Sequence, residues 1–89
     1  EYDPEKNQRN IEKRGLSFDL AKGVFADPNM KWEIDARRDY GEDRYAAYGL
    51  VDGRRLRVCW TPRGNKKRII TLYKVHKKEW EAHYGKDDS

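Results

Sequence analysis

Residues 45–61 read YAAYGLVDGRRLRVCWT, and the fold turns on this stretch. Asp52-Gly53 is a two-residue hairpin signal, because the favoured turn needs a positive φ at both central positions and Asp and Gly tolerate it. After the turn, Leu56, Val58 and Trp60 alternate with Arg55, Arg57, Cys59 and Thr61. A period of two marks a strand, so residues 45–50 and 55–61 are expected to pair as a hairpin with one apolar and one cationic side. C-terminal to it, Pro62-Arg63-Gly64-Asn65 supplies a second turn. Residues 68–74 then read as another strand, with Ile70 and Leu72 on one face and Ile69, Thr71 and Tyr73 on the other. N-terminal to it lies a polar segment, residues 36–43. Before that, Met30, Trp32 and Ile34 alternate with Lys31, Glu33 and Asp35, which predicts a half-buried first strand with the apolar set inward.

Helical signals flank the strands. Asp3-Pro4 is an N-cap followed by proline at the first helical position, and Gly15 is the stop. Ile11 is the only apolar residue in between. Ser17 is expected to cap a second helix in which Leu20, Ala21, Val24 and Phe25 recur at helical spacing. Asp27-Pro28 ends it, since a residue before proline avoids the α region. Near the C-terminus Glu79 stands three residues after His76, in a capping-box position, and Trp80 and Tyr84 are spaced to pin a short last helix to the sheet. Residues 85–89 read as a frayed tail. The expected fold class is α+β: two N-terminal helices packed on a four-stranded antiparallel sheet with a short C-terminal helix, in one domain over residues 1–89.

Charged residues make up 40% of the chain and hydrophobic residues 36%, with a mean hydropathy of −1.24. No apolar run approaches the roughly 20 residues of a spanning helix, so a helical membrane protein is excluded. Three Trp, six Tyr and two Phe argue against disorder. The first residues lack the charged-then-apolar order of a signal peptide, and the single Cys59 forms no internal disulfide; the expected compartment is the cytoplasm. One Cys and two His match no structural zinc spacing, and neither metal nor cofactor is expected. The net charge of +4 hides a segregation: residues 54–78 hold ten Lys or Arg and no Asp or Glu. With Trp60 and Tyr73 interleaved, this block is expected to form one positive surface for a polyanion.

Five fragments occur in order along the chain: Asp3-Pro4-Glu5-Lys6-Asn7, Asn10-x-x-Lys13-x-Gly15-x-Ser17-Phe18, Val24-Phe25-x-Asp27-Pro28, Asp39-Tyr40-Gly41-Glu42-x-Arg44, and Arg68-Ile69-Ile70-Thr71 before Lys74 and Glu79. Together they resemble the BrnT toxins over nearly the whole length. The resemblance implies a RelE-like ribonuclease fold and a type II toxin-antitoxin role. It also implies a hetero-oligomer with a BrnA-like antitoxin that carries a ribbon-helix-helix DNA-binding part. Two positions depart from the family pattern: Arg14, where it usually has His, and Tyr73, where it usually has Arg.

Cleaving RNA without a metal means helping the 2′-hydroxyl attack its own phosphate, which needs a proton acceptor, a donor to the leaving oxygen, and cations around phosphorus. The candidates are Glu42 as acceptor, Arg44 and Arg68 for charge, and Tyr73 as donor or base-stacking ring. Arg63, Lys74, His76 and Lys77 are the expected RNA-binding residues. Each has a plainer alternative. Glu42 and Arg44 form an ordinary surface ion pair, Asp39 caps a turn, Arg68 neutralises Glu79 or a sheet edge, and His76 marks a strand–helix junction. Trp32, Trp60 and Trp80 are expected in the core, and His83 and Cys59 as structural. The leading functional expectation is an endoribonuclease toxin acting on single-stranded RNA. The alternative is a catalytically impaired nucleic-acid-binding or antitoxin-binding regulatory module of toxin ancestry.

Overall fold

The computed structural model describes residues 1–35 and 41–84. Helix α1, Pro4–Arg14, starts where Asp3 accepts from the Glu5 amide and stops at Gly15, whose φ of 71° is left-handed. Ile11 does not anchor it, being 36% exposed. Asn10 does: buried, its Nδ2 donates to the carbonyls of Leu16 and Leu72, both at 2.9 Å. Asn7 adds a second polar clasp, its Oδ1 accepting from the Phe18 amide at 2.7 Å. A search for apolar spacing does not register this docking, because the helix is held by amide groups that satisfy buried carbonyls. Ser17 caps as expected, but what it caps is a 3₁₀ turn, Phe18–Leu20, that leads into α2, Ala21–Ala26.

Four strands follow: β1 Lys31–Ile34, β2 Tyr45–Val51, β3 Arg54–Arg63 and β4 Lys66–Lys74, then α3 Lys77–His83. They form an antiparallel meander in the order β1-β2-β3-β4, so the α+β class is as expected. Asp52 and Gly53 adopt positive φ at the β2–β3 turn. β3 and β4 run further than the turn residues suggested, because the reversal contracts to Gly64-Asn65. Helix α2 lies directly on β2. A Cβ at Gly49 would stand 2.9 Å from the Val24 carbonyl oxygen, so only glycine admits this approach. Leu16, Phe18, Ala21 and Val24 pack there against Ala47, Leu56, Val58, Trp60, Ile69 and Leu72. On the opposite face α3 contributes Trp80 to a smaller cluster with Tyr48 and Val75, and Tyr84 stacks on Trp80 at 4.0 Å.

Two expectations fail. The β3–β4 register shifts between Cys59 and Trp60, with Cys59 opposite Thr71 but Trp60 opposite Ile69. Ile70 is thus the extra residue of a bulge, and Ile69 turns into the core beside Leu72 instead of away from it. The second failure is at β1, where Trp32 is 61% and Ile34 65% exposed. Their partners Ala47 and Tyr45 place them on the α2 side of the sheet. However, the six residues of α2 pack on β2 and β3 and leave this edge strand uncovered.

Asp27, just past α2, joins three elements. Its carboxylate accepts from the Leu50 amide at 2.7 Å, the Tyr84 hydroxyl at 2.9 Å and the Asn29 amide at 2.9 Å. Burial pushes its pKa up, but the three donors outweigh this and hold it below the usual carboxylate value. A group whose pKa is lower in the folded chain stabilises it above the unfolded value of about 4, and loses that contribution as pH falls through the folded pKa. Asp27→Asn is therefore expected to lower stability at pH 7 by about 1–3 kcal/mol and by less at pH 3. Urea unfolding at the two pH values measures this, and an equal loss at both would refute the assignment.

Candidate functional site

On the sheet face opposite α2, strand pairing sets side chains in rows. Lys31, Tyr48, Arg57 and Tyr73 are aligned across the four strands, and Glu33, Ala46, Cys59 and Thr71 form the next row. Beyond them Thr61 stands opposite Arg68, and the Thr61 hydroxyl donates to the Asp43 carbonyl at 2.7 Å, which brings the Glu42–Arg44 segment alongside. Helix α3 covers the Tyr48 end. His83 stacks on the Tyr48 ring at 4.8 Å, and its Nδ1 lies 2.6 Å from Glu33 Oε1.

Arg57 is the centre of this face, yet it is only 3% exposed. Its Nε donates to the Tyr48 hydroxyl at 2.9 Å, and Nη1 donates to Cys59 Sγ at 2.7 Å and to the Tyr73 hydroxyl at 3.1 Å. The Tyr48 hydroxyl in turn donates a hydrogen bond to Glu79 Oε2 at 3.2 Å. Glu79 thus serves this network and not a capping box. Burial pushes the Tyr48 hydroxyl up to about 12, even against the neighbouring Arg57 charge. For Arg57, burial works against the charge, but Cys59, Tyr73 and Tyr48 more than offset it, and its pKa lies above the ordinary value. The result is a fixed cation under the face, with Tyr73 oriented by it. Arg14, from the last turn of α1, sets its guanidinium 5.4 Å from the centre of the same Tyr73 ring. Arg14 and Tyr73, the two positions singled out in the sequence, therefore meet in space.

The candidate residues fall into separate groups. Glu42 and Arg44 pair at 3.1 Å and are partly exposed. Arg68 pairs with Glu1 at 3.0 Å, not with Glu79. Tyr73 is half-buried between Arg14 and Arg57. It stands five residues from Arg68 on β4, about 15 Å along a strand. Arg63 is opposite Lys66 at one end of the hairpin, whereas Lys74 is opposite Leu56, about 23 Å away along β3. His76 and Lys77 are exposed at the start of α3.

Residues 54–78 consequently do not form one positive surface. Strand alternation sends Lys74 to the α2 side with Leu56, and Lys67 to the same side, over the Phe25 ring at 5.3 Å. Arg54 turns to Asp52 at 3.9 Å, and Arg57 goes inside. Asp39 and Tyr40 of the quoted motif, and the tail at 85–89, lie outside the described residues. Sequence reading missed Arg57 as a member of the site. The available signal was the placement of Arg57 between two tyrosines, which exists only once strand register is known.

The sequence model described as "Ribonuclease toxin, BrnT, of type II toxin-antitoxin system" matches residues 2–79. The chain belongs to the BrnT family. No curated protein matches it. Membership makes this BrnT chain one of a family of type II ribonuclease toxins, with RNA as the target class and a protein antitoxin as the partner class. Among the described residues, no helix is long and apolar enough to cross a membrane, and no three His, Cys, Asp or Glu side chains converge as metal ligands.

Proposed function

We propose that this chain is an endoribonuclease toxin that cuts single-stranded RNA on the sheet face opposite α2, without a metal, and is silenced in the cytoplasm by a BrnA-like antitoxin with a ribbon-helix-helix part. The carrying observation is that Glu42, Arg44 and Arg68 border the same face on which Arg57 and Arg14 hold Tyr73. Glu42 takes the 2′-hydroxyl proton, the freed oxygen bonds to phosphorus, and the bond to the 5′-oxygen breaks, that oxygen taking its proton from water. Arg44 orients Glu42 and, with Arg68, balances the charge that builds on the phosphate. Arg68 exchanges the Glu1 carboxylate for a phosphate, since both fit the same guanidinium. Tyr73, about 15 Å along the strand, holds a neighbouring nucleotide by its ring and hydroxyl. Arg63 and Lys77 then act as peripheral cations for longer RNA, with His76 as a hydrogen-bonding contact beside Lys77 and Lys74 reached from the α2 side, and an antitoxin segment laid over the face blocks it.

End-labelled single-stranded RNA incubated with the protein in EDTA is expected to yield fragments ending in 2′,3′-cyclic phosphate. Loss of cutting in EDTA would overturn the metal-free mechanism. RNA bound but left whole with and without added divalent cations would replace the enzyme by the regulatory module.

A further inference from the structure

We infer that the cleft between α1 and the outer edge of β4 is a phosphate track that leads RNA onto Tyr73, an inference that rests on the nuclease reading above. The cleft holds about 220 Å³ and is lined by Lys6, Arg9, Lys13 and Arg14, with Asn10 and Ile70. Neither Glu5 nor Glu12 of the same helix lines it, and among the described residues none of the four cations pairs with a carboxylate. Four like charges within about 12 Å of helix repel one another, and such pairs destabilise a helix when nothing neutralises them. The helix dipole accounts for Lys13 and Arg14, which stand in the last turn, but it disfavours Lys6 at the third helical position. Helix stability therefore does not explain the set, whereas a bound polyanion does.

The bulge supplies the second half of the argument. By taking Ile70 out of register it aims an apolar side chain into the cleft, beneath the cations, as a surface for a ribose or base edge. The Asn10 amide is already spent on Leu16 and Leu72, which leaves the cations as the ligand-binding groups. Arg14 closes the path. It lines the cleft and also lies over Tyr73, so a strand following Lys6, Arg9 and Lys13 arrives at the face where cutting is proposed. An acidic peptide has the same charge, but the run of the cleft into that face favours nucleic acid.

The probe is a fluorescent 2′-O-methyl dodecauridylate, which keeps the phosphates and lacks the attacking hydroxyl. Its affinity for the full chain is followed by anisotropy from 50 to 300 mM salt. Combined Lys6→Ala, Arg9→Ala and Lys13→Ala should weaken binding and flatten the log–log salt slope by about 2, at about 0.7 per lost phosphate contact. Lys6→Gln alone, on an exposed turn, should flatten it by about 0.7 and serves if the triple variant does not fold. Slopes unchanged in both variants, beside a wild type that binds and cuts RNA, would overturn the track while sparing the nuclease. A triple variant that keeps RNA affinity but loses binding to polyglutamate would overturn it in favour of an acidic peptide. Wild type that neither binds nor cuts RNA would sink both.

Discussion

Trp60→Ala is expected to lower the unfolding free energy by about 3–5 kcal/mol, and Trp32→Ala by less than about 1 kcal/mol. Trp60 is 7% exposed; the Phe25 ring meets it edge-on at 5.1 Å and Tyr45 stacks on it at 5.6 Å. Truncating it removes a large buried surface and leaves a hole between α2 and the sheet that the strand backbone cannot close. Trp32 carries the same side chain on the same side of the same sheet, two strands away, but 61% of it is already in water. A small domain has only about 5–15 kcal/mol of stability in all, so the Trp60 variant should be partly unfolded at 37 °C. Urea midpoints of the two variants decide the matter. Equal losses would mean that something covers β1 in solution.

Glu42→Gln and Arg68→Ala are each expected to slow RNA cutting by about 10²–10³ in rate, equivalent to about 2.7–4 kcal/mol of barrier, with little change in melting temperature. The separation of the two effects follows from exposure. Glu42 and Arg68 are partly in solvent, and their pairs with Arg44 and Glu1 are of the surface kind, worth about 0–1 kcal/mol. Under the proposed mechanism their effect on rate is larger, because proton and charge would move beside them. The double variant should lose less than the product of the single losses, since residues that act as a unit are not additive. Single-turnover cleavage of labelled RNA measures the rates. Unaltered rates in both variants would reduce Glu42 and Arg44 to a surface ion pair and move the reaction elsewhere on the sheet.

The elements that were legible in advance were those signalled by near neighbours. Asp3, Pro4 and Gly15 bound α1 as their chemistry requires, and Asp52-Gly53 turns the chain between β2 and β3. The bulge at Ile70 was not legible, because one extra residue in a strand changes every inward position after it without altering composition. Alternation places Trp32 and Ile34 on the apolar side, but it says which residues share a side, not whether another layer covers that side. The site suffered most. A run of ten cations without a carboxylate describes a charge count, and strand geometry then divided it between two faces and the interior.

The order of residues thus determined the α+β class, the limits of α1, the central hairpin and membership of the BrnT family, since caps, turns and periodicity arise between residues a few positions apart. Only the tertiary structure decided which cations are free, which are paired and which are buried. Arg68 meets Glu1 from 67 positions away, and Arg14 meets Tyr73 across about two thirds of the chain. The charge on a side chain is local, but the water, carboxylates and rings around it are supplied by whatever the fold brings alongside.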